Sequence, residues 1–144
     1  MASHLSTQIT HHPAAHGDDS LDLHGTITEI QPQGMDSASA LGLVLPALAH
    51  ISQERRWLAW IAPPDTPPGA QLIAAGVDPS RVLVVHARGC SDGIRAVENA
   101  LRTGTCGAVL AWLATADADT LPRLQQAALC GNSWGVVFRL PHHL

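Results

Sequence analysis

The 144-residue chain is 46% hydrophobic and only 14% charged, with 8 basic against 12 acidic side chains and a net charge of −4. A chain of this length makes one domain, within the usual roughly 100–200 residues, and can bury about two-thirds of its unfolded surface. The apolar content excludes disorder over most of the chain. The mild acidity argues against nucleic-acid binding, which needs a concentrated basic surface.

All 8 basic residues are arginine, and neither lysine nor tyrosine occurs. A lysine-free chain carries no P-loop, no lysine Schiff base and no lysine general base of its own. Cys90, Cys106 and Cys130 are odd in number and widely spaced, unlike a disulfide framework. No basic start followed by an apolar stretch marks a signal peptide, and no apolar run reaches the roughly 18–20 residues of a membrane span. A cytoplasmic protein without a membrane segment is the expectation.

Residues 1–24 read as a disordered tail. His4, His11, His12, His16 and His24 alternate there with Pro13, Gly17 and the acidic residues Asp18, Asp19 and Asp22, and apolar side chains show no period. A weak metal site among the histidines is the functional reading, and a dispensable leader the simpler one. A single α/β domain is expected over residues 25–144.

The first predicted strand is Thr26 to Gln31, β-branched and alternating, closed by Pro32 and Gly34. Helical spacing follows from Ala38 to Ile51. Leu41, Leu45 and Leu48 lie on one face, widened by Leu43, Val44 and Ile51, and Pro46 either bends the helix or sits at its start. Arg56 to Ala62 is a near-continuous apolar strand, as expected where helices cover both sheet faces. Pro67-Pro68-Gly69 opens a short helix to about Ala75, closed by Gly76. Val82 to His86 is a second apolar strand of the same kind.

Ser91 or Asp92 is placed to cap the next helix, whose inward stripe is Ile94, Val97 and Leu101. Gly104 ends it, and Gly107 to Leu113 is a third buried strand. Asp117 or Asp119 caps the last helix, with Leu121, Leu124 and Ala128 inward, Leu129 beside them, and Gly131-Asn132 as its stop. Trp134 to Arg139 is the final strand. This alternation predicts an α/β domain with a mostly parallel central sheet flanked by helices.

In such a sheet, ligands bind beyond the carboxyl ends of the strands. The loop from Pro32 to Ser39 has Gly34 and serines but no G-x-x-x-x-G-K-S/T pattern, so at most a backbone nest for one anion remains. The strand ending Ile61-Ala62-Pro63 lacks an acidic residue to hold a metal-bridged phosphate. No cofactor and no metal are expected. His86 and Cys90 could form a nucleophile pair, but the simpler reading is a wet strand-end loop with an incidental thiol. Glu98 and Arg102, at i and i+4, read as a solvated pair. His50 reads as a helix-end cap.

Binding features are more promising. Arg55 and Arg56 precede Trp57 and Trp60, which face opposite sides of their strand, so at most one indole serves a given surface. The prolines between Pro63 and Pro79 stiffen a short element carrying Leu72, Ile73 and Val77, a candidate protein-binding ridge. The first or last strand, if it lies at a sheet edge, could pair across a two-fold axis to make a homodimer.

Arg56-Trp57-Leu58-Ala59-Trp60-Ile61-Ala62-Pro63, Ala74-Ala75-Gly76-Val77, Val97 to Gly104, Val109 to Leu113 and Gly131 to Val136 together resemble the bacterial SulA family of cell-division inhibitors. The similarity runs from about Gly25 to Pro141. It implies a RecA-like three-layer core without the ATP-binding loop. It also implies a non-enzymatic inhibitor, induced by DNA damage, that binds the tubulin-like GTPase FtsZ, blocks its polymerisation and is cleared by the Lon protease. The family's partner-facing positions fall on Arg56, Ile61, Gln71, Leu72 and Arg81. Gln71 departs from the tryptophan common in enterobacterial relatives and offers far less apolar area. The competing readings are a RecA-like accessory protein binding other repair or mutagenesis proteins, and a small enzyme built on His86 and Cys90.

Overall fold

The computed structural model describes residues 7–12, 23–32, 37–64, 69–114 and 119–140. Strand β1 (Thr7–His12) runs antiparallel to β2 (Ile27–Pro32), with Ile9 opposite Ile30 and Thr10 opposite Glu29. A strand therefore lies within the stretch read as a disordered tail. The pairing uses main-chain hydrogen bonds along the free side of β2, which a scarcity of apolar side chains does not forbid. The rest of that tail lies outside the described residues.

Helices α1 (Ser37–Gly42) and α2 (Leu45–Ile51) follow, and Pro46 sits in the first turn of α2, where its fixed φ and missing amide do no harm. Leu43, in the turn between them, is exposed rather than part of the inward stripe. A 3-10 turn at Ser52–Glu54 and the left-handed Arg55 (φ 62°) lead into β3 (Trp57–Ile61). Helix α3 (Gly69–Ala75) ends at Gly76, whose φ of 94° favours glycine. A second 3-10 turn, Pro79–Arg81, is capped by Asp78 and enters β4 (Val82–Val85).

Helix α4 (Gly89–Arg102) begins two residues before the predicted cap, with Arg88 at its N-cap and no side-chain cap bond. Strand β5 (Cys106–Leu113), helix α5 (Thr120–Gly131) and strand β6 (Trp134–Arg139) complete the domain. Asp119 occupies the N-cap of α5 but makes no side-chain cap bond, and Asp117 lies outside the described residues. Leu121 is half-buried and Leu129 exposed, so the inner face of α5 is Leu124, Ala127 and Ala128.

The six strands form one sheet in the order β1-β2-β6-β5-β3-β4, parallel throughout except for β1. Helices α1 to α3 cover one face over Leu58, Trp60, Leu110 and Trp134, and α4 and α5 cover the other over Ala59, Ile61, Val109 and Ala111. This is the three-layer RecA-like arrangement expected. Burying each large apolar side chain contributes about 1.5–3 kcal/mol; Trp112 stacks on Phe138 with centroids 4.8 Å apart and lies tilted against Trp60 at 5.5 Å. The strand read as the first, β2, lies between β1 and β6, and the last, β6, lies between β2 and β5, so neither is an edge; among the described residues β1 and β4 are the edges. Among the described residues, no helix is long and apolar enough to cross a membrane.

Candidate partner-binding surface

Every parallel strand begins at one end of the sheet, where three helix-to-strand returns crowd together. Arg56, just ahead of β3, fills the space between them. Its Nε donates to Gly104 O (3.0 Å), and Nη2 donates to Cys106 O (2.9 Å), Gly131 O (2.9 Å) and Ser133 Oγ (3.1 Å). Nη1 donates to Asn132 O (2.9 Å) and to Glu54 Oε1 (3.4 Å). A planar guanidinium with five N–H donors suits such a ring of carbonyls, and a lysine ammonium does not.

The backbone approaches itself closely here. A Cβ at Gly131 would stand 1.7 Å from Leu101 O, and Gly104 takes a φ of 76° beside Gly131. The segments L-R-T-G and G-N-S-W-G, far apart in the chain, meet around this one arginine. Trp57 pairs with Cys106 but Leu58 with Ala108, so Gly107 is an extra residue in β5, a bulge at the same spot.

Next to this knot the surface changes character. Trp57, 37% exposed, stacks beneath Arg81, whose Cζ is 5.8 Å from the ring centroid, a cation–π pair. Leu58 pairs with Val82 and Ala59 with Leu83, so Arg81 and Leu83 share the face of Trp57. Leu83 is 43% exposed. Strand β4 was expected to be covered on both faces; at the sheet edge it leaves Leu83 and Val84 open. Four apolar residues in a row read alike in a central strand and at an edge. The usable signal was brevity, since short strands blunt edges.

The five residues implied by the resemblance do not form one cluster. Arg56 belongs to the knot. Ile61, at the far end of β3, is buried under α4 and α5, and Leu72 is buried in the opposite layer. Gln71 is half-buried on α3 near Gly42, and Arg81 is half-buried over Trp57. Of the proposed ridge, Leu72 and Val77 are core while Ile73 is exposed. Trp60 is core and Trp57 surface, as the odd spacing predicted.

At the carboxyl ends of the strands, where a nucleotide would sit, a shallow cavity of about 220 Å³ is lined by Ala62, Ala87, Gly93, Trp112, Leu113 and neighbouring apolar or glycine residues. Among the described residues that line it none is charged, so none of those could neutralise a phosphate. The loop with Gly34 lies outside the described residues. His86 is exposed after β4, Cys90 falls in the first turn of α4, and burial pushes the Cys106 thiol up, the nearby Arg56 opposing it only in part. Among the described residues, no three His, Cys, Asp or Glu side chains gather as a metal site.

The fold and its surface define a class: a RecA-like three-layer α/β domain whose chain has no P-loop lysine and whose exposed residues of note are apolar or arginine. The family profile described as "Cell division inhibitor SulA" matches residues 25–135. Curated SulA proteins of Yersinia pestis (strain Pestoides F) and Yersinia pseudotuberculosis serotype O:1b (strain IP 31758) are each 34% identical over 97 residues, 67% of this chain and 58% of theirs. The chain thus aligns with under two-thirds of the length of those relatives. The crystal structure of SulA from Pseudomonas aeruginosa superposes with a TM-score of 0.64 at 29% identity, covering 79% of this chain and 97% of that one. The chain belongs to the SulA family of cell-division inhibitors.

Proposed function

We propose that this chain halts septation by binding FtsZ and occupying the face through which one FtsZ subunit contacts the next, during the DNA-damage (SOS) response. The action is steric and stoichiometric in the cytoplasm, with no enzymatic step, no ATP and no cofactor. Turnover by the Lon protease ends it. Family membership supports the reading, and one observation on this chain carries it: the exposed Trp57 under a half-buried Arg81, with exposed Leu83 beside it. Tryptophan and arginine are the residues most enriched at binding hot spots.

Arg81 and Gln71 are the proposed contact residues at the surface. Ile61, Leu72 and Arg56 act from inside the fold, each at a different place. The contact should bury at least about 1,000 Å² in total. The free edge of β4 is the place where a second copy would pair to make a homodimer.

The test is light scattering of FtsZ with GTP while this protein is titrated in. Suppression at near-stoichiometric amounts without ATP, retained in His86→Ala and weakened in Trp57→Ala, is expected. Unchanged filament assembly at a several-fold excess would sink the reading.

A further inference from the structure

We infer that Arg56 is a positioning residue of the inhibitory surface, holding the Trp57 indole at the sheet flank through the bulge at Gly107 instead of touching the partner. The inference rests on the proposed function. Five of the six bonds made by the guanidinium go to main-chain carbonyls or Ser133 at the strand-starting end, and the sixth goes to Glu54. A side chain so engaged has no donor left for a partner.

What it organises lies next to it. Trp57 N donates to Thr105 O at 3.1 Å, between the Gly104 and Cys106 carbonyls that Arg56 takes, so residues 56 and 57 are fastened together along 104–106. The extra residue of the bulge, Gly107, lies against that arginine: a Cβ there would be 3.5 Å from Arg56 Cβ and 3.0 Å from Ile51 Cγ2. Bulges bend a strand and re-aim side chains beside them. With the left-handed Arg55 ahead of it (φ 62°), the knot fixes the direction in which Trp57 leaves the sheet, and so its seat under Arg81.

Trp57 is the exposed tryptophan; Trp60, Trp112 and Trp134 are buried. Acrylamide quenching of the folded protein therefore reports chiefly on Trp57. Arg56→Lys keeps the charge but not the fork. It should raise the quenching constant about twofold and weaken FtsZ inhibition about tenfold or more, at a temperature where its far-ultraviolet spectrum is native. In a Trp57→Ala background the same substitution should weaken inhibition by less than about twofold, since the group it acts through is gone. Should Arg56→Lys fail to fold, Gly107→Ala perturbs the bulge with the arginine in place and is expected to give the same pattern. Weaker inhibition with an unmoved quenching constant, or a full further loss in the Trp57→Ala background, overturns the inference alone. Absence of inhibition by the unsubstituted protein overturns the proposed function, and the inference as a statement about inhibition falls with it.

Discussion

Ser133 Oγ donates to the carbonyl oxygen of Cys106 at 2.7 Å, across 27 residues of chain, and the same carbonyl accepts Arg56 Nη2 at 2.9 Å. Ser133 is fully buried and also accepts from Arg56, so one hydroxyl closes the contact between the end of α5 and the start of β5. Ser133→Ala removes a buried donor and an acceptor together. It should lower stability by about 1–3 kcal/mol, read as a fall in the urea midpoint at unchanged slope. A change in slope instead would place the effect in the denatured chain.

Two glycines near this point separate backbone crowding from side-chain crowding. A Cβ at Gly131 would stand 1.7 Å from Leu101 O, whereas at Gly135 it would meet Ile27 Cδ1, the tip of a flexible side chain, at 2.5 Å. Gly135→Ala is expected to cost about 1–3 kcal/mol, the usual range for overpacking. Gly131→Ala should cost more, because a return loop must move and the Arg56 ring opens with it. Thermal melts of the two variants decide the order; equal losses would mean the loop yields as easily as a methyl group.

Much of the fold was legible. Residues 57–61, 106–113 and 134–139 are apolar almost without interruption because both sheet faces are covered, and that pattern survives in sequence alone. Strand β1 was not legible, since its main-chain pairing leaves no mark on a polar segment. The exposure of β4 was hidden because strand order is a tertiary property. For the site, Trp57 emerged from parity along its strand, whereas the role of Arg56 could not. Its acceptors, apart from nearby Glu54, lie 48 to 77 residues away, and all but Ser133 are carbonyls that every residue type possesses. The resemblance marked Arg56 as important without saying that it works from inside.

Two buried indoles make opposite predictions. Trp134 Nε1 donates to Thr28 Oγ1 at 2.8 Å, whereas Trp60 Nε1 is buried without a hydrogen-bond partner among the described residues. A buried N–H left unmet costs about 1–3 kcal/mol, so Trp60→Phe removes a penalty that partly offsets the lost ring volume. Trp134→Phe removes volume and a satisfied bond together. Trp60→Phe should therefore be the milder substitution by about 1 kcal/mol or more, measured by denaturant unfolding. The reverse order would indicate that the Trp60 N–H is met by water in solution.

Glu98 joins the two helices of one layer. Its Oε1 lies 2.6 Å from Arg123 Nη2 on α5 and its Oε2 3.2 Å from Arg102 Nη2 on α4, so the solvated pair read from spacing is one side of a bridge between helices. The hydrogen bond from Arg123, then that from Arg102, holds the carboxyl below its usual range against some desolvation. A carboxyl with a depressed folded pKa contributes stability above its unfolded pKa, about 4.3, and that contribution fades as pH falls through the lower folded value. Arg123 and Arg102 are 55% and 46% exposed, which keeps the effect small. Glu98→Gln should cost about 0.5–1 kcal/mol at pH 7 and low salt, with the gap closing in acid and shrinking in about 1 M salt. Urea midpoints of both proteins at neutral and acid pH provide the measurement. A gap of constant size at every pH would assign the loss to packing between α4 and α5 rather than to charge.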